Sequence, residues 1–315
     1  MRAILLAILL MLLVIITVAV PILIAPSHLK SLTDPEVSEV WDKTKRLYKI
    51  DVRGLKILQQ GPFTVYFPPQ YELQAEEVVQ TLRKGWEVVK RRLGLDLGAF
   101  SVVLVLLRED MGGVFIERWE EEGPVPWPLV SSMRWQSLPE APPYVRESVY
   151  LDFPHEAAHT VLEFEGRWLE EGLAEYIGYV VSQELDPEMH RHLLEMTHSY
   201  VQELSLQTTT YDLTTQPPYV FTFKDGMRIK ELSPEELAGY GVSLAFWLQI
   251  AQQHGEEVIR QFLEQIRQLQ QPSEQDLAYI LSKLTGEDIW MKLQKMNLQE
   301  VLQTLEQAID ASTQR

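Results

Sequence analysis

The chain has no cysteine in 315 residues, which excludes disulfide staples, thiolate metal ligands and cysteine nucleophiles. Histidine and carboxylate are then the side chains left to hold a metal. Asparagine is almost as scarce, with Asn297 alone and no N-x-S/T acceptor site, a composition in keeping with a hot or oxidising environment. Basic charge is short as well. Lys and Arg number 28 against 45 Asp and Glu, a formal net charge of -17 with no compensating basic patch, so nucleic acid is excluded as a partner. Internal repeats and low-complexity tracts are lacking. What is present, 46% hydrophobic and 10% aromatic residues, fits one globular domain, in one or two lobes, with a single membrane segment.

That segment is residues 3–25, apolar and free of charge for about the length that crosses a bilayer. It is longer than a usual signal-peptide core and lacks a clean A-x-A site, with Pro21 and Pro26 interfering near Ala19 and Ala25. The expectation is an uncleaved single-pass anchor over 1–27. Arg2 favours a cytoplasmic start and an extracytoplasmic domain, against which Lys30, Lys43 and Lys45 weigh on the far side. Residues 28–60 read as a juxtamembrane stalk with an amphipathic helix at 35–49, and residues 61–311 as the domain proper.

The densest chemistry lies at His155-Glu156-Ala157-Ala158-His159. On a helix, residues four apart share a face, so both imidazoles can turn to one Zn2+ ion. Glu156, offset around the helix, is placed to act as general base on a water at that ion. A catalytic zinc needs a third protein ligand. Trp168-Leu169-Glu170-Glu171-Gly172-Leu173-Ala174-Glu175-Tyr176 offers one, with Glu171 twelve residues beyond His159. Two histidines a turn apart, or a run of acids, are ordinary features when met singly; joined in this order they point to a metal site.

Together these two blocks resemble the gluzincin metallopeptidases, and above all the peptidase-MA-like group, in which H-E-x-x-H is followed by W-L-x-E-G-L-A-E-Y. The resemblance covers residues 145–180 and implies zinc on His155, His159 and Glu171, with Glu175 accepting a hydrogen bond from the first histidine. It also implies a peptide or protein substrate. The interval from His159 to Glu171 is shorter than in thermolysin or the aminopeptidases, so a tight turn must join the two helices. Glu163-Phe164-Glu165-Gly166-Arg167 supplies it, with Gly166 reversing the chain. The first helix is expected from an Asp152 N-cap to near Glu163, and the antiparallel partner over 168–184. Glu170 and Glu163 read as solvent-facing or capping, and Trp168, Leu173 and Tyr176 as packing beneath the site.

The fold class expected is α+β: a small mixed-sheet lobe with a helix, followed by a mainly α-helical zincin-like lobe. Strands are expected at 63–67, 101–107 and 147–151, the last feeding the metal helix, and a helix at 73–93. Residues 187–204 read as a helix whose His190, His192 and His198 are surface residues. A loop at 205–232 could roof the cleft, and helices follow through 311. Tyr240 matches the tyrosine of a Y-x-x-S helix that often follows the metal site in this group, which implies an oxyanion donor; a core tyrosine is the other reading.

These features converge on a membrane-anchored zinc peptidase, with an extended substrate pairing along 147–151. No G-x-M-E-N element is present to anchor a free amino terminus, which favours an endopeptidase. The charges around the metal helix, and the lack of a second spanning segment, disfavour an intramembrane protease. The alternative from another class is a catalytically silent binding or sensor protein on the membrane surface, against which the intact Glu156 speaks. A hydrolase of some other amide or ester is a third.

Overall fold

Phe63, Val65, Tyr66 and Phe67 are all buried, and this short β-branched and aromatic run forms an inner strand of the N-terminal sheet. The computed structural model describes residues 39–42, 47–50, 55–98, 100–105, 128–132, 135–162, 166, 168–215, 220–224, 227–231, 233–269 and 272–313. In chain order the elements are β1 (Glu39–Asp42), β2 (Leu47–Ile50), β3 (Lys56–Gln60), β4 (Phe63–Phe67), α1 (Glu72–Leu93), β5 (Phe100–Val105) and β6 (Pro128–Ser132). Next come α2 (Pro143–Glu147), a π-helical turn (Ser148–Asp152), α3 (Phe153–His159), α4 (Glu170–Leu185) and α5 (Pro187–Ser205). The chain continues through β7 (Thr210–Tyr211), β8 (Val220–Lys224), β9 (Met227–Glu231), α6 (Pro234–His254), α7 (Glu256–Ile266), α8 (Glu274–Thr285), α9 (Ile289–Gln294), β10 (Met296–Asn297) and α10 (Leu298–Thr313).

The four-stranded sheet runs β3-β4-β5-β6, antiparallel at its first pair and parallel at the next two, so the expected mixed sheet is present. It starts at Lys56, ahead of residue 61. Between the parallel β4 and β5 runs α1, which buries Val78, Val79, Leu82, Val89 and Leu93 at helical spacing and ends on left-handed Gly94. The rest is helical, giving an α+β molecule with one continuous apolar core through both parts.

Four sequence expectations are corrected. Residues 39–50 contain the antiparallel hairpin β1–β2, with Trp41 opposite Tyr48, in place of the helix read at 35–49. Val40, Trp41, Tyr48 and Ile50 are strand-favouring residues, and that preference prevails over the helical spacing. Residues 147–151 are helical, not a strand. Val145, Val149 and Phe153 are all fully buried, a period of four that overrides the apparent alternation. Asp152 is consequently no N-cap: its φ of -62 and ψ of -44 are interior helix values. The helix ends at His159, short of Glu163.

The π-helical turn has a local cause. Pro154 cannot donate to the carbonyl four residues back, and its ring crowds that carbonyl. The chain widens by one residue here, and Phe153 N–H reaches Ser148 O, five residues back. Helices α2 and α3 thereby form one helical segment that delivers His155 and His159.

Beneath that segment lies an aromatic cluster. Trp168 stacks on Trp247 at 5.9 Å, with Phe246 and Phe262 around them, and Trp247 Nε1 donates to Trp168 O at 2.6 Å. Burying Trp168 fixes the start of α4, which carries Glu171. Trp168, Leu173 and Tyr176 are fully buried, as expected of packing residues. The two parts are tied by Arg92 of α1, which grips Glu256 of α7 with Nε at 3.0 Å, while Tyr176 donates to the same carboxylate. Among the described residues no helix is long and apolar enough to cross a membrane; the anchor expected at 3–25 lies outside them.

Candidate metal centre

The turn between the ligand helices is short because Gly166 takes φ +113, a left-handed value that a side chain disfavours, and its carbonyl accepts from Leu169 and Glu170 N–H. The chain reverses there, and α4 returns antiparallel along the histidine helix. His155 Nε2 then stands 3.0 Å from His159 Nε2 and 3.3 Å from Glu171 Oε2, and His159 Nε2 stands 3.7 Å from the same oxygen. Ligand atoms about 2.0–2.1 Å from a tetrahedral zinc lie roughly 3.3–3.4 Å from one another, so this triangle fits the ion. Among the described residues it is the group of three His or carboxylate side chains with ligand atoms converging in this way.

The remaining nitrogen of His155, Nδ1, lies 3.2 Å from Glu175 Oε1. Glu175 sits one helical turn beyond Glu171, so one face of α4 brings both carboxylates to the first imidazole. His159 Nδ1 faces Glu170 Oε1 at 3.7 Å, beyond hydrogen-bond reach but within charge range. Glu170, in the first turn of α4 with its side chain 40% exposed, faces solvent as expected and also stands beside the second imidazole. The signal for it was its position next to Glu171, about 100° around the same first turn.

Charge is crowded here. Burial works against a charged His155, but the hydrogen bonds and charges of Glu171 and Glu175 outweigh it and hold the imidazole well above its ordinary range. His159 goes the other way, pushed down to about 4 by burial and by the neighbouring His155 charge, against the pull of Glu171. Glu156, half-buried, is raised by burial, with His155 opposing and the charges of Glu171, Asp152 and Glu175 reinforcing. A carboxyl raised in this way suits a group that must take a proton and return it near neutral pH.

Two further acids surround the site. Asp152 is pushed up to about 7 by burial and then by Glu147, with His155 opposing. Glu147 is itself raised by burial and by Glu175. Sequence reasoning missed both, having read one as a cap and the other as strand. Only the packing of the π-helical turn against α4 reveals them.

Tyr240, half-buried on α6, has its ring centroid 6.4 Å from that of His155. Its ring thus lies beside the first imidazole. Of the three histidines on α5, His192 is exposed and His198 lies 3.4 Å from Glu306, but His190 is buried, contrary to expectation. Its Nδ1 meets Ser182 Oγ at 3.0 Å and its ring packs on Tyr179 at 4.5 Å. None of the three joins the metal triangle.

No family description and no curated protein matches the chain. Among solved structures it is similar to native yeast leukotriene A4 hydrolase, with TM-score 0.49, 13% identity, and coverage of 82% of this chain and 44% of that one. The same yeast enzyme in complex with bestatin gives TM-score 0.49, 12% identity, and coverage of 82% and 44%. A further native structure from Saccharomyces cerevisiae gives 0.47 and 13%, with coverage of 76% and 38%. The chain thus spans less than half the length of the proteins it matches.

Proposed function

We propose that the chain is a zinc-dependent peptidase of gluzincin type that cuts within peptide chains. The observation that carries this reading is the triangle of His155 Nε2, His159 Nε2 and Glu171 Oε2, with edges of 3.0, 3.3 and 3.7 Å, beside a Glu156 whose carboxyl is raised. Zinc, when bound there, supplies Lewis acidity that polarises a scissile carbonyl and eases the ionisation of water.

The chain's own groups do the rest. Glu175 accepts a hydrogen bond from His155 Nδ1–H, which leaves Nε2 as the nitrogen that would hold zinc in place of a proton. Glu156 removes a proton from the attacking water and returns it to the departing amine. Tyr240 is assigned to donate its hydroxyl hydrogen to the charge developing on the carbonyl oxygen. Since 147–151 is helical, that segment offers no strand edge to an extended substrate.

Incubation of the zinc-loaded chain with a peptide library, products read by mass spectrometry, tests the reading. Internal cuts are expected; trimming from one end alone would make it an exopeptidase, and no cleavage would leave the binding-protein alternative standing. The anchor at 3–25 and an extracytoplasmic domain belong to the same proposal, supported by the uncharged length of that run. The chain is expected to stay with membranes through a carbonate wash and to be digested by protease reaching the outer face of intact cells. Release by carbonate, or protection until lysis, would contradict the anchor or the orientation respectively.

A further inference from the structure

Glu171, Glu175 and Gly178 fall at i, i+4 and i+7 on α4, so one face carries the ligand, its supporting carboxylate and then a glycine. Opposite Gly178 lies Leu151 of the π-helical turn, four residues before His155. The contacts along this seam run in antiparallel order: Leu151 with Gly178, His155 with Glu175, and the two imidazoles with Glu171. At the first of them the helices meet almost backbone to backbone. A Cβ on Gly178 would lie 2.5 Å from Leu151 Cδ1, 3.1 Å from Leu151 O and 3.4 Å from Leu151 Cα. A leucine side chain can turn aside, but a helix carbonyl cannot, so a Cβ 3.1 Å from it has to part the helices by a few tenths of an ångström.

We infer that the Gly178–Leu151 contact is the spacer that sets the distance between the two ligand helices, making Gly178 a positioning residue for the zinc triangle. The inference rests on the zinc reading of that triangle. Metal sites tolerate only about 0.2 Å of error in ligand distance, and the Gly178 contact lies on the same seam as the triangle, two turns along α4 from Glu171. The other close glycines face different neighbours: Gly172, beside Glu171, meets Ser243 and Trp247, and Gly98 meets Thr160. Gly241 faces Thr197 Cγ2 and Val201 Cγ2, each at 2.8 Å from an added Cβ, where α6 crosses α5.

The test is zinc affinity of the full chain by chelator competition, together with the visible spectrum of the cobalt-loaded protein, which reports coordination geometry. Wild type is measured first; if it holds no zinc, the zinc reading and the spacer fall together. If it does, Gly178→Ala is expected to weaken zinc binding by at least about tenfold, the scale of losing an orienting partner, and to alter the cobalt bands. Gly241→Ala is expected to lower the melting temperature with zinc affinity and cobalt bands unchanged. Leu151→Ala removes the side chain that can turn aside and leaves the carbonyl and Cα in place, so zinc affinity is expected to stay at the wild-type level, and the double variant, still facing that carbonyl, should keep most of the Gly178→Ala loss.

Wild-type zinc affinity in folded Gly178→Ala, or an equal loss in Gly241→Ala, overturns the spacer while leaving the zinc reading intact. Should Gly178→Ala fail to fold, the double variant with Leu151→Ala, relieved of the side-chain clash but not of the carbonyl, decides: weakened binding supports the spacer and wild-type binding overturns it.

Discussion

Replacing Glu156 with glutamine is expected to lower peptide hydrolysis by at least about a hundredfold while zinc content stays at the wild-type level. Glutamine keeps the length and much of the hydrogen bonding of glutamate but has no basic oxygen to take a proton from water. The side chain is half-buried beside the ligands without being one of them, so the triangle of His155, His159 and Glu171 should survive the change. Its raised carboxyl comes from burial and from the negative charges of Glu171, Asp152 and Glu175. Removing one acid from that crowd relieves repulsion, so Glu156→Gln is expected to fold at least as well as wild type. Rate and metal content measured on one preparation check this. A variant that still cleaves at the wild-type rate would remove Glu156 from the chemistry.

His159→Ala should empty the site. A catalytic zinc held by three protein ligands becomes a two-ligand site. The loss should exceed the roughly 10–100-fold that removal of a mere supporting partner costs. His159 ends its helix and is 18% exposed at the side chain, so truncation leaves no deep cavity and the fold should persist. Metal analysis after dialysis against trace-metal-free buffer is the check. Zinc content equal to wild type in a folded His159→Ala would take the ligand assignment away from this residue.

The convergence of His155, His159 and Glu171 was readable in the sequence because its constraints are local. His155 and His159 must share a face if the segment is helical, and Glu171 and Glu175 obey the same rule on the returning helix. The packing of Trp168, Leu173 and Tyr176, and the long helix 72–93 with its regular apolar spacing, follow from pattern in the same way. What escaped depends on partners distant in sequence. The run 147–151 alternates like a strand, and only the burial of Val145, Val149 and Phe153 in the common core turns it into helix. Pro154 then imposes a wider turn where a cap was expected.

Asp152 and Glu147 acquire their raised carboxyls through burial beside Glu175, and His190 is buried because Ser182 and Tyr179 of the preceding helix enclose it. Neither effect has a short-range signature. The strands at 39–42 and 47–50 stand in place of an amphipathic helix because strand-favouring residues there pair in antiparallel register.

The central claim, that hydrolysis depends on zinc held by this triangle, is tested most directly by returning zinc to chelator-stripped full-length protein while following cleavage of a peptide substrate. Activity is expected to be absent at the start, to rise in proportion to added zinc, and to level off at about one equivalent per chain, as three convergent ligands require. Cleavage by the stripped protein, or a chain that binds one zinc and cuts no peptide, would contradict the account.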